Sequence, residues 1–95
     1  MREPIIMRKS IMQTELACYL TGSHTMLEIH HCFHGPRRKA ADEWGCWIWL
    51  RQDLHRRLHD QDKELDRRIE RECQERFEEL YGHEKFMEIF GKSYL

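Results

Sequence analysis

The 95 residues of the chain suffice for one domain with a thin hydrophobic core, which excludes a multidomain enzyme. Hydrophobic residues make up 40% and charged residues 35% of the sequence, which is typical of a globular protein and not of a disordered one. The 16 Lys and Arg residues are balanced by 17 Asp and Glu residues, and this net charge of -1 argues against a protein that coats nucleic acid.

The first half of the chain predicts short elements separated by turns. Residues 1–15 form a polar lead-in, and residues 16–22 indicate a short strand or a knuckle that ends at a glycine turn. Residues 26–33 predict a strand, which Gly35 and Pro36 interrupt. Residues 37–44 are compatible with a short helix or with a basic loop, and the sequence does not decide between the two.

The second half predicts one more strand and then helices. Residues 44–50 are aromatic and β-branched, as in a strand, and the spacing of Leu54 and Leu58 predicts a helix from about residue 52. A longer helix follows, whose apolar stripe consists of Leu65, Ile69, Cys73, Phe77, Leu80 and Tyr81, with Gly82 at its end. Residues 84–90 predict a last short helix with Phe86, Ile89 and Phe90 on one side.

No apolar run near the amino terminus is long enough for a signal peptide, and no segment approaches transmembrane length. We therefore expect a soluble intracellular protein with no membrane contact. In that compartment Cys18, Cys32, Cys46 and Cys73 are expected to be reduced thiols, and since they form no C-x-x-C pair we interpret them as core side chains.

Histidines are concentrated in two groups. His30 and His31 end the first predicted strand, and His55 and His59 lie at i,i+4 on one face of the predicted helix. Each group alone is more typical of a solvated surface. The order of strand, His-His, second strand and His-x3-His helix instead favours a site at which imidazoles share one metal ion and leave coordination positions open.

Residues 27–60 resemble the HNH nuclease motif, most closely the all-histidine form of colicin-type DNase toxins. The matching segments are Glu28-Ile29-His30-His31 and His55-Arg56-Arg57-Leu58-His59. The wider chain is similar to small HNH-like proteins of phages and prophages. The resemblance implies an α+β fold in one domain, with a ββα-metal (His-Me finger) core at 16–60 and a helical extension at 61–95. It also implies that the protein is a DNA endonuclease of the bacterial cytoplasm.

The resemblance also implies a role for each matching residue. His31 is expected to be the general base, and His30, His55 and His59 to hold one divalent ion (zinc, nickel, manganese or magnesium). Glu28 matches a position that orients a neighbouring arginine, with an exposed strand residue as its simpler interpretation. The central asparagine of the family has no counterpart, because the chain contains no Asn. The paired cysteines that hold a structural zinc in many HNH proteins are also missing, and we therefore expect no structural zinc.

The remaining polar residues allow two interpretations. A local basic cluster either clamps phosphate or is ordinary solvated charge, and it consists of Arg37, Arg38, Lys39, Arg56 and Arg57. We expect His34 to be peripheral, His24 and His83 to be surface residues, and Trp47 and Trp49 to share one buried strand face.

The expected partner is DNA, with RNA as the other possible substrate, and the thin core is compatible with a homodimer. The alternatives to an enzyme are a non-catalytic module on the same scaffold, which binds nucleic acid or a protein, and a helical interaction protein with incidental histidines.

Overall fold

The computed structural model describes residues 8–95, so that half of the predicted lead-in, residues 1–7, lies outside it. The fold is α+β, with a two-stranded antiparallel sheet and four α-helices in the described residues. The elements in chain order are β1 (Leu27–His31), a 3-10 turn (Gly35–Arg37), α1 (Arg38–Trp44), β2 (Trp47–Arg51), α2 (Gln52–Asp60), α3 (Lys63–Tyr81) and α4 (His83–Phe90). Residues 16–22 form a turn in which the Gly22 N–H donates to the Cys18 carbonyl.

The sheet separates an inner face from an outer one. His30 lies opposite Ile48 in the antiparallel register, so both side chains point to the same face, where Ile48 is fully buried. Trp47 and Trp49 share the other face, as predicted, with their rings edge to face at 5.5 Å, but only Trp47 is buried and Trp49 is partly exposed. The Trp47 indole N–H donates to the carbonyl of Arg8, 2.8 Å away, and so fixes residues that precede the turn at 16–22.

Residues 38–44 are a helix, which answers the question that the sequence left open. The second strand begins at Trp47 and not at residue 44 as predicted. Trp44 ends α1 instead, because Gly45 takes a left-handed conformation with φ of 72° and terminates the helix. The Trp44 ring packs edge to face on Phe77 and Tyr81 of α3.

The two C-terminal helices close the core from the inner side of the sheet. Asp62 caps α3 by accepting from the Leu65 N–H, and the stripe residues Ile69, Cys73 and Phe77 are fully buried. Two residues of the predicted stripe, Leu80 and Tyr81, are instead 45% and 42% exposed, although the Tyr81 ring still contacts Trp44 and Phe77.

The aromatic part of the core joins both halves of the chain. Phe86 and Phe90 of α4 are buried and contact the ring of Phe33, which follows β1. The helices of residues 8–95 include none with the length and apolarity needed to cross a membrane. All four cysteines are unpaired and buried, in agreement with their interpretation as core residues.

Candidate metal centre

Three imidazoles from two elements converge at one end of the inner sheet face. His30 comes from β1, and His55 and His59 come from consecutive turns of α2. One ring nitrogen from each of the three lies within 4.8 Å of the others, and the Nε2 atoms of His55 and His59 are 3.1 Å apart. The three predicted ligands therefore lie together, at a spacing from which small side-chain rotations can reach a single ion.

His30 is the most buried histidine of this group, and one of its ring nitrogens has no hydrogen-bond partner. It is 1% exposed, and its Nε2 atom is buried with no hydrogen-bond partner. Such an orphaned polar atom is costly in a protein interior, and a cation at the convergence point would satisfy it. The donor set of this chain thus fits a transition-metal ion.

The electrostatic environment of His30 and His59 favours the neutral form, which can bind a metal. Burial, together with the nearby imidazoles of His34 and His55, lowers the pKa of His30 from 6.5 to about 3. Burial and the same kind of neighbours also lower the pKa of His59. A neutral imidazole has a free lone pair on one nitrogen, so both residues are ready ligands at neutral pH.

Glu28 supports one of the three imidazoles directly. Its Oε1 atom lies 2.9 Å from Nδ1 of His55, across the gap between β1 and α2. The carboxylate accepts the Nδ1–H and leaves Nε2 of His55 free to face His30 and His59. Glu28 therefore adjoins the site, as expected, but its partner is a histidine and not the expected arginine.

His31 is separated from the imidazole group. Strand alternation turns its side chain away from that of His30, and its Nε2 atom forms a hydrogen bond with Oδ1 of Asp42 in α1. Both histidines nevertheless line the same cavity of about 240 Å³. If the Asp42 carboxylate accepts the Nε2–H, Nδ1 of His31 is the basic nitrogen, and the predicted general base has a fixed tautomer.

The expectation that His34 is peripheral is wrong. Its ring centroid lies 5.3 Å from that of His30 and 5.6 Å from that of His59, and its Nε2 bonds Asp66 of α3 at 2.8 Å. The Gly35-Pro36 pair does break the strand, but the 3-10 turn that follows directs His34 back over the cavity. The spacing of His30 and His34 was the signal for this contact, whereas nothing in the sequence pointed to Asp66. His24 and His83 are exposed, as predicted.

The basic residues do not form one cluster. Arg38 lines the histidine cavity, and Lys39 lines a shallow depression beside it. Arg37 is directed elsewhere, since its Nε donates to the carbonyl of Phe90 at the end of α4. Arg56 and Arg57 are exposed on α2, where Arg57 lies 3.6 Å from Asp62. The structure therefore brings Arg38 into the cavity wall but not Arg37.

The connection between the strands is fixed without an asparagine. The Cys32 N–H donates to the carbonyl of Cys46 at 3.0 Å, which joins the two ends of the segment that carries α1. Asp42, inside that segment, adds the contact to His31. These two hydrogen bonds stabilise the loop that the asparagine of the HNH motif, absent from this chain, would be expected to stabilise.

No protein-family model, curated protein or solved structure matches the chain. The functional interpretation consequently depends on the geometry of the side chains described above.

Proposed function

We propose that this protein is a metal-dependent endonuclease of the HNH type, a phosphodiester hydrolase that acts on DNA. The convergence of His30, His55 and His59, with ligand nitrogens within 4.8 Å of one another, is the observation that carries the proposal. β1 supplies His30 and α2 supplies His55 and His59, with the antiparallel strand β2 between them in the chain, which is the element order expected for a ββα-metal core.

The electrostatics of the cavity are compatible with phosphodiester hydrolysis. His30, His55 and His59 would hold one divalent ion, which when bound supplies positive charge to stabilise the phosphate and the leaving oxygen. His31 would take a proton from the attacking water through Nδ1, while Asp42 holds the opposite side of its ring and stabilises the imidazolium that forms. Arg38, in the wall of the same cavity, would orient a phosphate oxygen.

Cleavage of supercoiled plasmid tests this proposal. Purified protein should nick the plasmid when zinc, nickel, manganese or magnesium is added, and a chelator should stop the reaction. His31→Ala should lower the rate by about 100-fold or more, the range typical of a lost general base, while the fold and metal affinity persist. His24→Ala, at an exposed histidine that contacts the carbonyl of Leu16, serves as the matched control and should cleave normally. A wild-type protein that is inert with all four ions would contradict the proposal.

A non-catalytic module on the same scaffold is the second candidate. The net charge of -1 and the engagement of Arg37 with Phe90 favour it, because both reduce the positive surface available for a DNA backbone. In that case the wild type and His31→Ala would both fail to cleave plasmid. Both proteins would still bind metal, and both would unfold at a lower temperature when the metal is removed.

A further inference from the structure

A second group of potential ligands lies beside the first and shares its buried member. One ligand atom each from His30, His34 and Asp66 lies within 4.8 Å of the other two. His30 contributes an almost fully buried ring with an unpartnered nitrogen, and the other two residues are partly buried. They come from β1, from the turn that follows it and from α3, so this group uses a helix that the first group does not.

We propose that His30, His34 and Asp66 form a second cation position, at which a transition-metal ion binds as an alternative to the position at His30, His55 and His59. At this position an ion would replace the proton that lies between Nε2 of His34 and Oδ1 of Asp66, which are 2.8 Å apart, and that proton would pass to solvent. This inference uses the metal binding of the proposed function and does not depend on its cleavage activity.

The two positions are filled one at a time, because both require His30. A neutral imidazole has a lone pair on only one of its nitrogens, and therefore gives it to one ion. The two donor sets also differ in chemistry. Three imidazoles suit zinc, nickel and cobalt, whereas two imidazoles and a carboxylate accept harder ions such as manganese as well. An ion at the second position leaves His55 and His59 without their shared cation, so occupancy of this position empties the neighbouring one at the proposed active centre.

Titration with Co²⁺, followed by its visible absorption, separates the two positions. Wild type should bind one Co²⁺ per chain. The double variant His55→Ala/His59→Ala, which removes the first position at two side chains near the surface, should still bind one Co²⁺ per chain. Adding Asp66→Ala or His34→Ala to the double variant should raise the Kd for Co²⁺ by about tenfold or more, as expected for loss of a ligand. Circular dichroism establishes that each variant is folded.

Glu75→Gln is the matched control, since Glu75 is exposed further along the same helix and belongs to neither ligand group. In the double-variant background it should leave the Kd for Co²⁺ unchanged. The proposal is overturned if the folded double variant binds Co²⁺ no better than His30→Ala, or if its affinity is indifferent to both Asp66→Ala and His34→Ala. A protein that fails to cleave plasmid but shows this pattern of affinities would overturn only the proposed nuclease function.

Discussion

The carboxylate of Glu28 and the imidazole of His55 form a 2.9 Å hydrogen bond that links β1 to α2. Metal-binding histidines commonly donate their second ring N–H to such a carboxylate, which fixes the tautomer and makes the other nitrogen more basic. Glu28 reaches the proposed centre in this way although it is not itself a member of either ligand group.

Glu28→Gln should therefore weaken zinc binding by about 10-fold to 100-fold, since loss of such a partner typically has that effect. Competition with a chromogenic chelator measures the Kd. Glu64→Gln, at an exposed carboxylate in the first turn of α3, should bind zinc like the wild type. Equal affinities for Glu28→Gln and the wild type would show that His55 needs no support from β1.

Asp42→Ala should lower the plasmid cleavage rate to a value between those of the wild type and His31→Ala. The reason is that His31 loses the carboxylate that fixes its tautomer and stabilises its protonated form. The effect should fall on kcat more than on KM, and zinc affinity should stay unchanged because Asp42 contacts none of the three proposed ligands. Asp42→Asn should be impaired as well, because its amide lacks the charge and can donate to Nε2 of His31, which favours the tautomer with the proton on Nδ1. A loss of zinc affinity in Asp42→Ala would contradict the assigned role.

The metal-free protein should lose stability as the pH falls below about 6.5. Burial lowers the pKa of His30 to about 3, so between these values the unfolded chain binds a proton that the folded chain does not. The slope contributed by this residue is on the order of 1 kcal/mol per pH unit. His59, whose pKa is also lowered, adds to it. His34 has a pKa raised by its hydrogen bond to Asp66, is protonated in both states over this window, and leaves the slope unchanged.

Urea unfolding between pH 7 and pH 4, in the presence of a chelator, measures this dependence. The chain has 17 acidic residues that also titrate at low pH, so the informative quantity is the difference between the wild type and His30→Leu. The substituted protein should show a clearly smaller loss of stability over the same range. Parallel curves would mean that His30 is accessible to protons in the folded state.

Gly45→Ala should destabilise the protein by about 2 kcal/mol or more, the range of strained backbone positions combined with a steric conflict. Gly45 has a φ of 72°, and a Cβ at this position would lie only 2.3 Å from the carbonyl oxygen of Lys9. Gly22 has a similar φ of 77° but no atom within 4 Å of its Cβ position. Gly22→Ala should consequently cost only about 1 kcal/mol in urea unfolding, the conformational part of the effect.

The sequence predicted those features of the centre that depend on local periodicity. The i,i+4 spacing placed His55 and His59 on one face of α2, whereas the pattern placed His30 only at the end of a strand, and its role as a ligand was implied by the resemblance to the HNH motif. The same kind of pattern predicted both strands and the helices that follow them, while the α+β class of the whole chain was implied by the resemblance. The boundary at Trp44 was missed, because a tryptophan before a glycine fits the start of a strand as well as the end of a helix.

The missed part of the centre depends on contacts between distant residues. Asp66 is 32 positions from His34 and reaches it only because α3 packs back under the strands. Asp42 reaches His31 only because residues 38–44 form a helix, a point that composition did not decide. The basic neighbours of Arg37 suggested either a phosphate ligand or solvated charge, whereas its position beside Phe90 depends on where α4 ends.

No linker separates β2, which ends at Arg51, from α2, which begins at Gln52. An insertion between them therefore acts directly on the orientation of the helix. Inserting one alanine at that junction would rotate the helix by about 100° about its axis and carry both of its imidazoles around to solvent. The hydrophobic contact of Leu58 would be lost at the same time, so that ligand placement and folding fail together. Length variation in a lineage of such proteins should therefore be confined to other loops, since the length of this junction determines where the ligands of α2 point.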